Sequence, residues 1–292
     1  GELLKRSKNA NLTVYHGAAD FNFALFSKLT DQEPEVSEKH RELWYSEARK
    51  VLERARDALL ESGFDPDRLS IDFEKGCKDP AVSMSTLAGQ KGIETIAVAR
   101  WGKETVSRQL IGSITYRLAQ MMENQTLWVI DPRICSYNVL VCLVGASVSQ
   151  RVVDYTVRHF AHLKESRFTL MNVIPPVPPQ FFDADIVEKG AHDEYQKFAE
   201  RLKEYTYRVK EIADDAKSEL IKAGVPEQNV VIKSQTQKRG IARDILVEME
   251  EGNHGILVIG RKGFRDIKEF GLGSKANKLL LYSRAFIVSM VH

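Results

Sequence analysis

A shift of 161 residues lays the second half of this sequence on the first. Leu59-Leu60-Glu61-Ser62-Gly63 then meets Leu220-Ile221-Lys222-Ala223-Gly224, and Ile96-Ala97-Val98-Ala99 meets Leu257-Val258-Ile259-Gly260. The same shift puts Gly102 on Gly263, Gly112-Ser113 on Gly273-Ser274, and residues 126–131 on 287–292. A register held over that length marks a duplicated domain, so whatever pattern one copy carries must serve both. The length of 292 residues suits two domains of ordinary size.

The second copy shows its pattern more clearly. Residues 139–144 are a continuous apolar run ending at Gly145, which reads as a strand buried on both faces. Residues 147–163 have helical spacing, with Val152, Val153, Val157 and Phe160 on one side. A strand at 168–174 stops at Pro175-Pro176, and a long helix at 192–223 stops at Gly224-Val225-Pro226. Then follow a strand at 230–233, a helix at 241–250, a strand at 256–259, a helix at 274–282 and a strand at 285–291. Five strands alternating with four helices predict an α/β fold, a doubly wound parallel five-stranded sheet with helices on both faces. The first copy follows from its second strand onward: 12–15, then a helix at 36–62, then strands at 69–73, 95–99 and 126–130. Equivalents of the first strand and most of the first helix are absent from these residues. The natural chain is therefore expected to begin earlier, the rival idea being a strand supplied by another chain. Domains are expected at 1–132 and 137–292, as a tandem repeat.

Composition narrows the function. Apolar residues at 43% and charged residues at 28% are those of a globular protein, and a net charge of +2 offers no global basic field for nucleic acid. No aromatic-basic interleaving of the RNA-binding kind occurs. The apolar runs are strand-sized, short of the roughly 20 residues a membrane helix needs, and no signal peptide is read at the start. The three cysteines, Cys77, Cys135 and Cys142, form no C-x-x-C pair, which points to reduced thiols in a cytoplasm. His159 and His162 lie three apart on a helix without an evident third ligand, so no metal site is expected. The stripe Tyr195, Phe198, Leu202, Tyr205, Val209, Ile212, Ala216 and Leu220 reads as the sheet-facing side of the long helix, with its first turns overhanging as a surface for an unknown protein partner.

The chemistry concentrates in one loop. Gly260-Arg261-Lys262-Gly263 closes a strand and, after nine residues, Gly273-Ser274 opens a helix. Glycines there are expected to adopt φ > 0 and admit a ligand closely, Ser274 to act as N-cap, and the free N–H groups of the new helix to face an anion. Residues 261–278, which include Arg261 and Lys275, hold six basic and two acidic side chains, and residues 100–117 hold four and one. No Walker A spacing occurs.

This G-x2-G-x9-G-S pattern, with the surrounding strand and helix order, resembles the ATP-binding signature of the universal stress protein family. The resemblance implies an adenine nucleotide alpha hydrolase-like fold. It also implies that Gly260, Gly263, Gly273 and Ser274 hold the phosphates and ribose of ATP, with Mg2+ accompanying them. Val144, Gly145 and Val173 would then face the adenine, and Arg261 and Lys275 would belong to the same nucleotide site. Family members usually carry an Asp where this chain has Val144, which removes one hydrogen-bond acceptor. In the first copy Gly102, Gly112 and Ser113 would form a weaker second site. The resemblance further implies that the last strands, Thr126–Ile130 and residues Phe286 to Val291, pair antiparallel about a pseudo-twofold axis. No general base or metal carboxylate is evident, so a nucleotide-dependent regulator of a stress response is expected, with weak hydrolysis at most. The alternative is an interaction module with a degenerate site.

Overall fold

The computed structural model describes residues 10–19, 34–100, 111–122, 124–133, 136–143, 146–176, 192–261 and 273–292. The chain divides into two compact units, Gly1–Gln90 and Lys91–His292.

The first unit contains β1 (Leu12–Ala18), α1 (Pro34–Glu61), β2 (Leu69–Lys75) and α2 (Pro80–Gln90). β1 and β2 pair in parallel from Leu12↔Leu69 to Ala18↔Lys75. α1 stops because Gly63 takes φ 84°, a left-handed conformation open to a residue without Cβ. There the Gly63 N–H donates to the Leu60 carbonyl at 2.8 Å, and the Phe64 N–H reaches the Leu59 carbonyl at 3.1 Å.

The second unit runs β3 (Thr95–Ala99), α3 (Ser113–Met121), β4 (Thr126–Ile130), β5 (Val139–Cys142), α4 (Ala146–Phe160) and β6 (Phe168–Ile174). It continues with α5 (His192–Lys222), β7 (Val230–Thr236), α6 (Ile241–Glu251), β8 (Ile256–Gly260), α7 (Ser274–Tyr282) and β9 (Ile287–Val291). α5 ends as α1 does. Gly224 has φ 93°, and the Val225 N–H bonds the Leu220 carbonyl at 3.0 Å. Both ends of β2, α2, β3, α3 and β4 recur 161 residues later in β7, α6, β8, α7 and β9.

The seven strands of this unit form one sheet in the order β3-β4-β9-β8-β5-β6-β7. Every pairing is parallel except β4 with β9, which run antiparallel with Leu127 opposite Met290 and Ile130 opposite Ile287. The protein is thus an α/β fold built on mainly parallel sheets. Its deepest strands have no polar face. Val139, Leu140, Val141, Ile256, Leu257 and Val258 are all fully buried, which is why their sequences do not alternate. On α5 burial grows toward the C-terminus, where Val209, Ala213, Ala216 and Leu220 are buried, while Tyr207 stays exposed.

The strands divide as seven plus two, where two five-stranded sheets, the first short of one strand, were expected. The order of the second copy gives the reason. β5 is its first strand and also the one that joins β6 to β8. The described residues hold no counterpart of β5 in the first copy. β1 and β2, the counterparts of β6 and β7, therefore form a sheet of their own, while β3 and β4 are held through β9. The boundary between compact units falls in this gap, at Gln90.

Candidate functional site

β8 and β5 are adjacent and parallel, and the order reverses between them: from β5 the chain proceeds to β6 and β7 on one side, and β8 leads to β9 on the other. Such a reversal opens a crevice at the carboxyl ends of the two strands, where ligands of open α/β sheets bind. Gly260 ends β8 at this point, and Cys142 ends β5. Burial pushes the Cys142 thiol well above its ordinary range, so it remains a neutral packing group.

α7 begins beside the crevice. Its N-cap is Gly273, with φ −57° and ψ 143°, and no side chain caps it. Ser274 is already the first helical residue, so the expectation that its hydroxyl caps the helix is corrected. The same holds in the first copy, where Gly112 is the N-cap of α3 at φ −58° and Ser113 is the first helical residue. A glycine N-cap has no oxygen to offer, and the first helical bond runs from the Asn277 N–H to the Gly273 carbonyl at 2.9 Å. The N–H groups of Ser274, Lys275 and Ala276 therefore have no acceptor within the helix. Neither glycine has positive φ, so the expected left-handed backbone does not occur at these two positions. What each provides is an end without a side chain.

Arg261, counted with the nucleotide-binding residues, is buried. It is only 6% exposed, and its guanidinium donates to the carbonyl of Gln120 in the last turn of α3. Its counterpart Arg100, 2% exposed, donates to the carbonyl of Leu280 in the last turn of α7 at 2.7 Å. The final carbonyls of a helix lack intrahelical partners and carry the negative end of its dipole, so a buried cation is well placed at each. The two arginines thus tie each copy's fourth strand to the other copy's last helix. Burial pulls the Arg100 pKa down, while Asp131 opposes that shift. Burial pushes Asp131 upward, yet its bonds to Arg133 hold it below the usual carboxylate range. Nothing in the sequence pattern separated these arginines from the exposed cations around them; only their place directly after a strand hinted at burial.

Val173 lies near the end of β6 and is buried, at 5% exposure. Lys275 and Ser274 are exposed at the start of α7. Val144, Gly145, Gly263 and Gly102 lie outside the described residues. Gly260 thus ends β8, Gly273, Ser274 and Lys275 open α7, and Arg261 is buried. No group of three or more possible metal ligands is found among the described residues.

The model of the Universal stress protein family matches residues 137–285, just over half of the chain. The chain belongs to this family. The matched span begins just before β5 and covers the second copy up to β9. No curated protein matches the sequence. Among solved structures, a universal stress protein from Archaeoglobus fulgidus DSM 4304 is 12% identical, at a TM-score of 0.62 over 98% of this chain and 89% of that one. A functionally unknown protein from Pseudomonas aeruginosa PAO1 is 11% identical, at a TM-score of 0.56 over 97% of this chain and 92% of that one. These two likenesses show the fold. A universal stress protein solved in complex with cAMP is 20% identical over 54% of this chain and 98% of that one, at a TM-score of 0.35. Among the described residues no helix of this universal stress protein is long and apolar enough to cross a membrane.

Proposed function

We propose that this universal stress protein binds ATP or a related adenine nucleotide in its second copy and acts as a nucleotide-dependent regulator of a stress response. The observation that carries this reading is the uncapped start of α7 at the reversal point of the sheet. Three backbone N–H groups without helical acceptors, at the positive end of a helix dipole, suit the phosphates of a nucleotide. Gly260, Gly263, Gly273, Ser274 and Lys275 hold the phosphates and ribose in this reading, with Mg2+ carried on the phosphates. Val144, Gly145 and Val173 line the base. Arg261 has its guanidinium on the Gln120 carbonyl and contributes charge rather than contact to the ligand in this reading. Gly102, Gly112 and Ser113 form a weaker equivalent site. The two copies are tandem repeats related by a pseudo-twofold axis through the β4–β9 seam, with domains at 1–132 and 137–292 in the evolutionary sense. The protein works in the cytoplasm, without nucleic acid or membrane as partner. Hydrolysis is slow, because the reading assigns no general base to the site.

A second reading, an interaction module for an unknown protein partner, is favoured by Val173, which is buried where a base pocket needs an open wall. Isothermal titration of ATP with Mg2+ decides between the two. Affinity in the micromolar range that is lost in Gly263→Val and weakened in Ser274→Ala supports the nucleotide reading. Absence of binding up to millimolar ATP in a folded protein overturns it in favour of the interaction module.

A further inference from the structure

α6 and α7 pack side by side and bound a groove of about 780 Å3. Arg239, Arg243, Lys275 and Lys278 line it, with Ile241 and Leu246 among its apolar residues. All four cations are exposed, and none has an acidic partner among the described residues. The lining carboxylate, Glu250, faces Arg284 at 3.7 Å. Asp244, nearby and buried, has its oxygens occupied by the N–H groups of Lys238 and Arg239 at 2.8 and 3.0 Å. In a chain of net charge +2, four unneutralised cations around one cavity form a local anion field.

The helix start at this groove adds a second, independent observation. α6 has Gly240 as its N-cap, at φ 108°, with no side-chain cap. The equivalent residue in the first copy is Asp79, whose carboxylate accepts from the Ala81 and Val82 N–H groups at 3.1 and 3.3 Å. The first turn of α2 is thus satisfied by its own chain, and that of α6 is left to the groove. The cations follow the same division. At a shift of 161, Arg243 and Lys275 correspond to Val82 and Ile114. The second copy thus lacks the capping carboxylate and has two cations where the first has apolar residues, while Arg239 and Lys278 correspond to Lys78 and Arg117.

We propose that the groove between α6 and α7 is a binding site for a soluble oligophosphate or a small molecule carrying one, held by Arg239, Arg243, Lys275 and Lys278 and by the open first turn of α6. Its volume falls in the range of small-molecule sites. It shares Ser274 and Lys275 with the nucleotide site but does not depend on it, since Arg243 and Lys278 lie outside the glycine loop.

The test is isothermal titration of inorganic tripolyphosphate into the whole chain at low and moderate salt. The unaltered protein and two variants are compared: the exposed double reversal Arg243→Glu/Lys278→Glu, and Gly263→Val. Binding that weakens with salt, falls at least tenfold in the double variant and persists in Gly263→Val supports the groove. No binding by the unaltered protein overturns it. Equal affinity in the double variant, or loss only in Gly263→Val, also overturns it by placing the anion on the glycine loop. If tripolyphosphate binds in this pattern while ATP does not, the groove stands and the nucleotide reading fails.

Discussion

From β2 and β7 onward the two copies share element boundaries to the residue, and they differ in what they leave open. The first copy closes one of its two helix starts. Asp79 caps α2, and Val82 and Ile114 stand where the second copy has arginine and lysine. The second copy keeps glycine at the start of both α6 and α7 and surrounds them with cations that have no acidic partner among the described residues. Fold and chemistry are therefore separable here. Strand pairing, helix ends and the arginine ties persist in both copies, whereas the charges and caps that receive an anion differ.

The sharpest way to break the likeness is at the seam. Val129 and Val288 face each other across β4 and β9, and both are fully buried. Val288→Asp places an unpaired carboxylate there and should cost about 4 kcal/mol or more, as burial of an unpaired charge does. If the copies contribute equally, Val129→Asp lowers the urea midpoint by the same amount, and a clearly milder effect would show that β4 is dispensable to the sheet.

The arginine ties should come next. Arg261→Met and Arg100→Met each leave a helix-end carbonyl unsatisfied, and a loss of about 1–3 kcal/mol is expected from each. Equilibrium unfolding should give similar values for both, with the double variant close to their sum if the two ties act independently. The helix stops should respond more weakly. Gly63 and Gly224 hold φ of 84° and 93°, so alanine at either should lower stability by about 1 kcal/mol. A thermal scan showing no change for Gly224→Ala would mean that this turn relaxes.

The smallest effect concerns acid. Burial pulls the His254 pKa below its ordinary value, against the opposing pull of Glu248 and with Arg167 and Lys233 adding to the decrease. The folded state therefore favours the neutral ring. This contribution to stability is complete above the unfolded pKa of about 6.5 and is lost as pH falls from there through the lower folded value. His254→Gln should flatten the decline of the thermal midpoint between pH 7.5 and 5.5. It should not abolish it, because burial also lowers the pKa of His159. An unchanged slope would show that His254 does not titrate in that window.

Much of this was legible in the sequence because it rests on periodicity and chain stops. The 161-residue register, the apolar runs of β5 and β8, and the stop at Gly224 each follow from local chemistry. Other features depend on what a segment meets in space. Ser274 looked like a cap because serine usually is one, yet the helix starts one residue earlier than that role requires. Arg261 counted in the sequence as one of the loop's basic side chains, yet its guanidinium donates to a carbonyl 141 residues away in sequence. The split of the strands into seven and two followed only once β5 was seen to be the joint of its sheet.

The β4–β9 seam has a consequence for how such a protein can change over time. A contact between separate subunits weakens on dilution and forces both sides to be identical, since one gene writes both. Here the two edges belong to one chain, so the contact is intramolecular and holds at any protein concentration. Each side is also encoded separately. A substitution can alter one face of the pair while the other remains as it was, and a symmetric ancestor can become a molecule with one receptive half and one closed half.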